Sequence, residues 1–405
     1  VPSRLNSGRP FGLNALLLAF AALAAVLWLL PLFSPHSVLF PAGANYADIL
    51  VYKGRFTVYH SLKFFTSRAF SGFAYPPGAA PIYELFYQTS NALQTYLTLA
   101  TITTLAALIA TWLYLRRNGI ARVFPLLLLF SFPLVFLIQR ANIEIVLWIV
   151  IALGIVAYRR NAPLPAAVLF GLAASVKLYP IFLLGLFLKR RAQLPAFLLG
   201  LITAALALIA ATTYTGPTFL QAASGFTTGL GRFQDHYVET VSSVELIFDH
   251  SLFSPLKYQA YLQHISPTLW THTYYLIAGA FALLLFLRVR TLPAINRIVF
   301  LVVAMVSLPP VSFTYTLVHL YLPLLLLTGV LAASRTAPPP TALAVLALLL
   351  FLLLPLMAVQ TLHTGPPPWP TGPMQSCALF ATLVLTALTP WPDNIGRAAP
   401  NTPAR

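Results

Sequence analysis

Read as a pattern of apolar and polar positions, the chain is a succession of long apolar runs separated by short polar breaks. The runs lie at roughly 13–33, 80–115 (a short helix, then a span), 123–138, 143–158, 164–177, 179–188, 194–214, 269–287, 298–310, 315–333, 341–360 and 375–391. A bilayer core takes about 20 apolar residues per helical span, and the runs lack the alternation of a barrel strand. The pattern predicts an all-α, polytopic membrane protein of about twelve transmembrane helices, forming one membrane domain over 1–405. Runs 164–177 and 179–188 are short, so a tilted or re-entrant element there would change the count. Two stretches, 34–79 and 215–268, are long loops rich in Tyr, Phe and His. Connections beyond about 15 residues are usually functional or disordered, and the aromatic content argues for order.

Composition sharpens this picture. Only 8% of residues are charged, against about 25% in an ordinary soluble domain, while 59% are hydrophobic and the mean hydropathy is +0.82. The net charge of +16 would suggest nucleic acid in a soluble protein, but here the basic residues sit in short clusters between apolar runs and act as topology signals. With the N-terminus cytoplasmic, Arg4, Arg9, Arg116, Arg117, Arg122, Arg159, Arg160, Lys189, Arg190, Arg191, Arg288, Arg290, Arg297, Arg335, Arg397 and Arg405 all fall inside. Asp48, Glu84, Glu144, Asp235, Glu239, Glu245 and Asp249 then map to the outer side or to outer helix ends, and Asp393 alone falls inside. Both long loops share that outer side, which is the expected working face of a plasma-membrane protein with both termini cytoplasmic. The first run exceeds a signal-peptide core and no A-x-A site follows it, so it is expected to stay as an anchor. The single cysteine, Cys377, allows no intramolecular disulfide and no Cys-based metal site.

Candidate chemistry concentrates in a few short stretches. "NYADILVYKGR" carries Asp48 between Tyr46 and Tyr52. A carboxylate near lipid is costly unless paired or working; beside aromatics it can act as general base to a hydroxyl, or it is a solvated loop acid. Shortly after comes "GFAYPPGAAPIYELFY", where Tyr75 precedes Pro76 and Pro77, residues that can end an extended segment and launch a helix. "QRANIE" packs Arg140, Asn142 and Glu144 into a turn; it reads as a clasp for phosphate or sugar, or as an Arg140–Glu144 pair across one helical turn. "SVKLYP" ends an apolar helix on Lys177, against the positive-inside trend, with Tyr179 and Pro180 behind; a pocketed lysine there suits a phosphate, a snorkelling one does not need it. "FDHSLFSPLKY" brings together Asp249, His250, Ser251 and Lys257, and "RFQDHYVE" resembles it. Yet H-E-x-x-H, G-x-S-x-G and D-x-D are all missing from the sequence, so metal and serine-hydrolase readings are weak. In "LPPVSFTYTLVHLYLP", Ser312, Tyr315 and His319 lie near a span end, and Tyr315 and His319 at i, i+4 would share a helical face.

Taken in order, Asp48 in "DILVYKGR", "FAYPPGAA", "QRANIEIVLW" and "GLAASVKLYPIFLLGLFLKRR" resemble glycosyltransferase family 87, over most of residues 40–325. The resemblance implies a C-type glycosyltransferase architecture with long outer loops. It also implies transfer of a hexose, typically mannose, from a polyprenyl-phosphate donor to a lipid or glycan acceptor, in contact with membrane lipids. By the same resemblance Asp48 matches the catalytic base and Lys177 the lysine near the donor phosphate. Tyr75, Arg140, Asn142, Tyr179, His250, Ser251, Tyr315 and His319 become candidate substrate-binding residues. No cofactor, metal or nucleic acid is called for, because Lys and Arg can neutralise the leaving phosphate. The chain departs from the family in having Asp249-His250-Ser251 where members often have Asn-Gln-Ser, and Phe313-Thr314-Tyr315-Thr316 where they have Trp-x-His-His. A transporter or lipid flippase would also have many spans, but with inverted repeats and polar residues near the midplane. A non-catalytic envelope partner is the third reading.

Overall fold

The computed structural model describes residues 11–29, 45–61, 64, 73, 75–116, 124–240, 242–334, 338–356 and 370–391. Arg4, Arg9, Arg117, Arg122, Arg335, Asp393, Arg397, Arg405, about half of the 34–79 loop and most of the proline-rich stretch before Thr371 lie outside the described residues. Among the described residues about 80% are helical and no strand forms, and an isolated bridge joins Asp249 to Phe313.

Among the described residues, five helices are long and apolar enough to cross a membrane: Ala92–Leu115, Arg191–Thr215, Thr268–Val289, Thr314–Ala333 and Thr371–Leu388. Leu13–Leu29, Pro163–Val176, Tyr179–Leu188, Ala294–Ser307 and Pro340–Leu353 are apolar but shorter. At 1.5 Å per residue a 14-residue helix covers about 21 Å, less than the hydrocarbon core. Several of the roughly twelve expected spans are therefore too short or too broken to cross on their own. The run at 123–138 breaks at Phe130, where the Trp28 indole donates to the Phe130 carbonyl, and resumes as Phe132–Arg140 with Pro133 in its first turn. The run at 179–188 is a 3-10 helix, and 314–320 is another, feeding the Tyr321–Ala333 helix.

Helix pairs approach closely where small residues face each other. A Cβ on Gly171 would meet the Gly200 carbonyl at 2.5 Å, so the Pro163–Val176 and Leu194–Thr215 helices touch through backbone, the usual basis of helix association in lipid. The Ala294–Ser307 helix is buried on every side from Asn296 onward and forms the centre of the bundle. The outward faces of Ala92–Leu115, Leu194–Thr215 and Thr268–Val289 present exposed Leu and Ile, as a lipid-facing surface does.

Candidate functional site

The site begins where two helix ends are stitched together. Tyr46, in the left-handed region at φ 57, donates its N–H to the Gln139 carbonyl at 2.6 Å. Gln139 Nε2 in turn donates to Asn45 Oδ1 at 2.9 Å. These bonds set the start of the Ala47–Phe56 helix beside the end of the Phe132–Arg140 helix. Asp48 falls in the first turn of the former, where the helix dipole favours an anion. The second helix ends on Ala141, left-handed at φ 53. Its N–H bonds to the Ile138 carbonyl, and that of Asn142 to Leu137, in the manner of a Schellman cap. That turn aims Arg140 and Asn142 at Asp48.

Both carboxylate oxygens of Asp48 are engaged. Arg140 donates to Oδ1 at 2.6 Å and Asn142 Nδ2 to Oδ2 at 2.6 Å. The Asp48 side chain keeps 13% exposure and that of Arg140 29%, so this pair is the accessible part of the site. The expected Arg140–Glu144 pair does not form: the left-handed turn at Ala141 interrupts the helix between them, and each finds another partner.

Glu144 opens the next helix, Glu144–Arg159, with its N–H on Asn142 Oδ1 at 2.9 Å. Its carboxylate is fully buried. Lys177 Nζ and the Tyr179 hydroxyl both bond to it, and His319 Nε2 lies 2.6 Å from Oε1. Lys177 is in place because the Pro163–Val176 helix ends on it in extended conformation, before Pro180 starts the 3-10 segment. Its ammonium is surrounded by the rings of Tyr315 at 5.0 Å, Tyr75 at 5.2 Å and Tyr179 at 5.9 Å, an aromatic enclosure that favours a cation. Lys177 is thus neither lone nor snorkelling.

Asn142 joins the two ion pairs. Its amide oxygen also accepts from Lys177 at 3.4 Å, and its nitrogen donates to the Tyr75 hydroxyl at 2.9 Å. The Tyr75-Pro76-Pro77 stretch bonds back on itself: the Pro76 and Pro77 carbonyls accept from Ala79 and Ala80, starting the Ala79–Tyr87 helix. A Cβ on Gly78 would meet the Ser175 carbonyl at 2.4 Å, so the proline stretch rests directly on the "SVKLYP" turn.

Asp48, Tyr75, Arg140, Asn142, Lys177, Tyr179, Tyr315 and His319 therefore gather in one place. Tyr315 and His319 do so from a 3-10 helix, in which i and i+3 eclipse, so the shared α-helical face expected from their spacing is not how they meet. His250 and Ser251 do not join them. Both are fully buried in a knot where Asp249 pairs with Lys257 at 2.7 Å and accepts the Ser251 and Ser312 N–H groups. His250 Nε2 lies 3.1 Å from Ser312 Oγ and 3.2 Å from Thr316 Oγ1. Glu144, which the sequence places in the "QRANIE" clasp but not among the candidate substrate-binding residues, joins the site as well; an acid in the first turn of an otherwise apolar helix is its signal.

A profile of glycosyltransferase family 87 matches residues 73–309, more than half of the chain. The chain belongs to glycosyltransferase family 87. It is a membrane glycosyltransferase, which favours transfer over the transporter, flippase and non-catalytic alternatives. The matched region holds Tyr75, Arg140, Asn142, Glu144, Lys177 and Tyr179; Asp48, Tyr315 and His319 lie beyond its ends. None of the curated proteins compared with it matches the chain.

Proposed function

We propose that this glycosyltransferase moves a hexose, mannose as first choice, from a polyprenyl-phosphate donor to a hydroxyl of a lipid or glycan acceptor on the extracytoplasmic side of the membrane. The observation that carries the reading is the Asp48 carboxylate: partly exposed, held at both oxygens, and set beside the partly exposed Arg140 guanidinium.

The polyprenyl chain lies among the spans within a C-type architecture of about twelve helices. Its phosphate faces Arg140, with Lys177 adding positive charge from behind. Asp48 takes the proton of the acceptor hydroxyl as that oxygen attacks the anomeric carbon. The bond from that carbon to the phosphate oxygen breaks, the electron pair leaves with the polyprenyl phosphate, and the anomeric centre inverts. Each Asp48 oxygen has a lone pair left after its bond to Arg140 or Asn142, so the clamp orients the base without occupying it. Charge developing on the leaving phosphate is met by fixed side-chain cations. Tyr75 and Tyr315 line the route between the two cations. No metal is part of this reading.

Purified protein supplied with a polyprenyl-phosphate mannose donor and a membrane-lipid acceptor pool provides the test. Asp48→Asn keeps the size and one accepting oxygen but removes the basic carboxylate, and turnover is expected to fall about 10²-fold or more. A folded Asp48→Asn protein with wild-type turnover removes Asp48 from the role. Transfer from a different sugar donor alone removes mannose.

A further inference from the structure

Glu144 has no part in the transfer just described, yet it accepts from more side chains than any other group in the site. Its fully buried carboxylate takes Lys177 on one oxygen and Tyr179 and His319 on the other. Three separate parts of the chain converge on it: the end of the Pro163–Val176 helix, the 3-10 segment that follows, and the 3-10 segment Thr314–Leu320. The Asp249–Lys257 pair is also buried, but its carboxylate is held by Lys257 and by the backbone N–H groups of Ser251 and Ser312, none of which bonds to Asp48 among the described residues.

The link from Glu144 runs through Asn142. An amide has one accepting end and one donating end, and here the accepting end faces the Glu144 N–H and Lys177 Nζ. The donating end is thereby turned to Asp48 Oδ2 and the Tyr75 hydroxyl. Were the amide reversed, its oxygen would oppose the Asp48 carboxylate and its nitrogen would oppose the Lys177 ammonium. The Glu144 N–H and Lys177 thus select the orientation of Asn142 together, and the Glu144 carboxylate keeps Lys177 where it contributes.

We propose that Glu144 is a positioning residue for the transfer, acting on the Asp48 carboxylate through Lys177 and Asn142. The proposal rests on the reading of Asp48 as the base. Glu144 touches no substrate; it holds the orientation of the residue that clamps the base.

The test uses Glu144→Gln, Glu144→Asp and the double variant Glu144→Gln with Lys177→Met, all in the purified full-length protein. Melting temperature, turnover and donor KM are measured with a short-chain polyprenyl-phosphate mannose as probe, and the variant structures are determined. Glu144→Gln is expected to lower kcat on the order of 10²-fold, the scale for a misplaced catalytic group, while donor KM stays within about threefold because Arg140 is untouched. Glu144→Asp, which retains the charge, should recover part of kcat. The double variant leaves no unpaired buried charge, so its melting temperature should return toward wild type, while the loss of Lys177 from the donor phosphate by itself keeps its kcat low. A double variant with wild-type kcat would show that Glu144 only balances the Lys177 charge, and the proposal would fall. Should wild-type protein not use the probe, the proposed donor is wrong; the structures then decide the positioning role by themselves. Loss of the Asn142–Asp48 contact in Glu144→Gln supports the role, and an unchanged contact overturns it.

Discussion

At Asn142 two ion pairs of different character meet. The outer one, Asp48–Arg140, keeps solvent access; the inner one, Glu144–Lys177, is sealed among Tyr75, Tyr179 and Tyr315. A charge pair this deep costs desolvation energy that packed apolar residues would not, so it adds little net stability and makes sense where geometry is being held. His250 shows a third way of burying a titratable group. Burial pushes its imidazole down to about 4, with the Asp249 charge acting in the opposite direction. In the unfolded chain a histidine titrates near about 6.5, so as pH falls the unfolded state takes up the proton first. The stability that the neutral imidazole contributes is complete above about 6.5 and is lost progressively down to about 4. Thermal unfolding in detergent across that window should show a falling melting temperature, and His250→Gln should flatten the fall. A slope unchanged in the variant would assign it to other groups.

The element that matters most to the base is the short segment from Tyr75 to Gly78. Two fixed φ angles and two missing N–H groups make it a rigid connector, and the absence of a side chain on Gly78 lets it rest on the Ser175 carbonyl. Tyr75 is held from the other side by the ring of Tyr52, 5.8 Å away and edge-on, which belongs to the same helix as Asp48. Replacing Pro76 and Pro77 together by Ala should leave insertion and donor binding intact while lowering turnover, because Tyr75, Asn142 and Asp48 lose a shared reference. Donor affinity and turnover measured in one detergent preparation separate these effects; unchanged turnover would reduce the prolines to a loop terminator. Gly78→Ala forces a methyl against backbone that cannot move aside, and overpacking of that kind costs about 1–3 kcal/mol. Denaturant or thermal titration should register the loss, with the Lys177 turn displaced.

For the molecule as a whole, one helix separates the site from a basic end. The Glu144–Arg159 helix begins in the site and ends on a basic residue, about 24 Å away along its axis at 1.5 Å per residue. If the site faces outward, as proposed, cysteines placed in a Cys377→Ser background at Thr218 or Gln263, both exposed, should react with a membrane-impermeant maleimide in intact cells. Cysteines at exposed Arg160 or Arg290 should react only after permeabilisation. The reverse pattern would invert the topology and move the chemistry to the cytoplasmic side.

Apolar runs, proline positions and charge distribution determined the helical, membrane-embedded character of this chain from sequence alone, because lipid leaves helices as the way to satisfy the backbone of such runs. The same local signals marked Asp48, Tyr75, Arg140, Asn142, Lys177, Tyr179, Tyr315 and His319, since a polar group in an apolar chain stands out wherever it occurs. Which polar group meets which was beyond them. Arg140 lies four residues from Glu144, and spacing favoured their pairing. A left-handed Ala141 and the docking of a helix more than 90 residues earlier gave Arg140 to Asp48 instead. Glu144 reached Lys177 and His319, the latter 175 residues away. Tertiary structure also sent His250 and Ser251 into a buried knot and turned the run at 179–188 and the start of the run at 315–333 into 3-10 segments, where tight packing outweighs the α-helical spacing of the sequence. Ion pairing inside a bundle is decided by which helix ends are brought together, and that depends on the whole set of packed apolar surfaces rather than on any one stretch of chain.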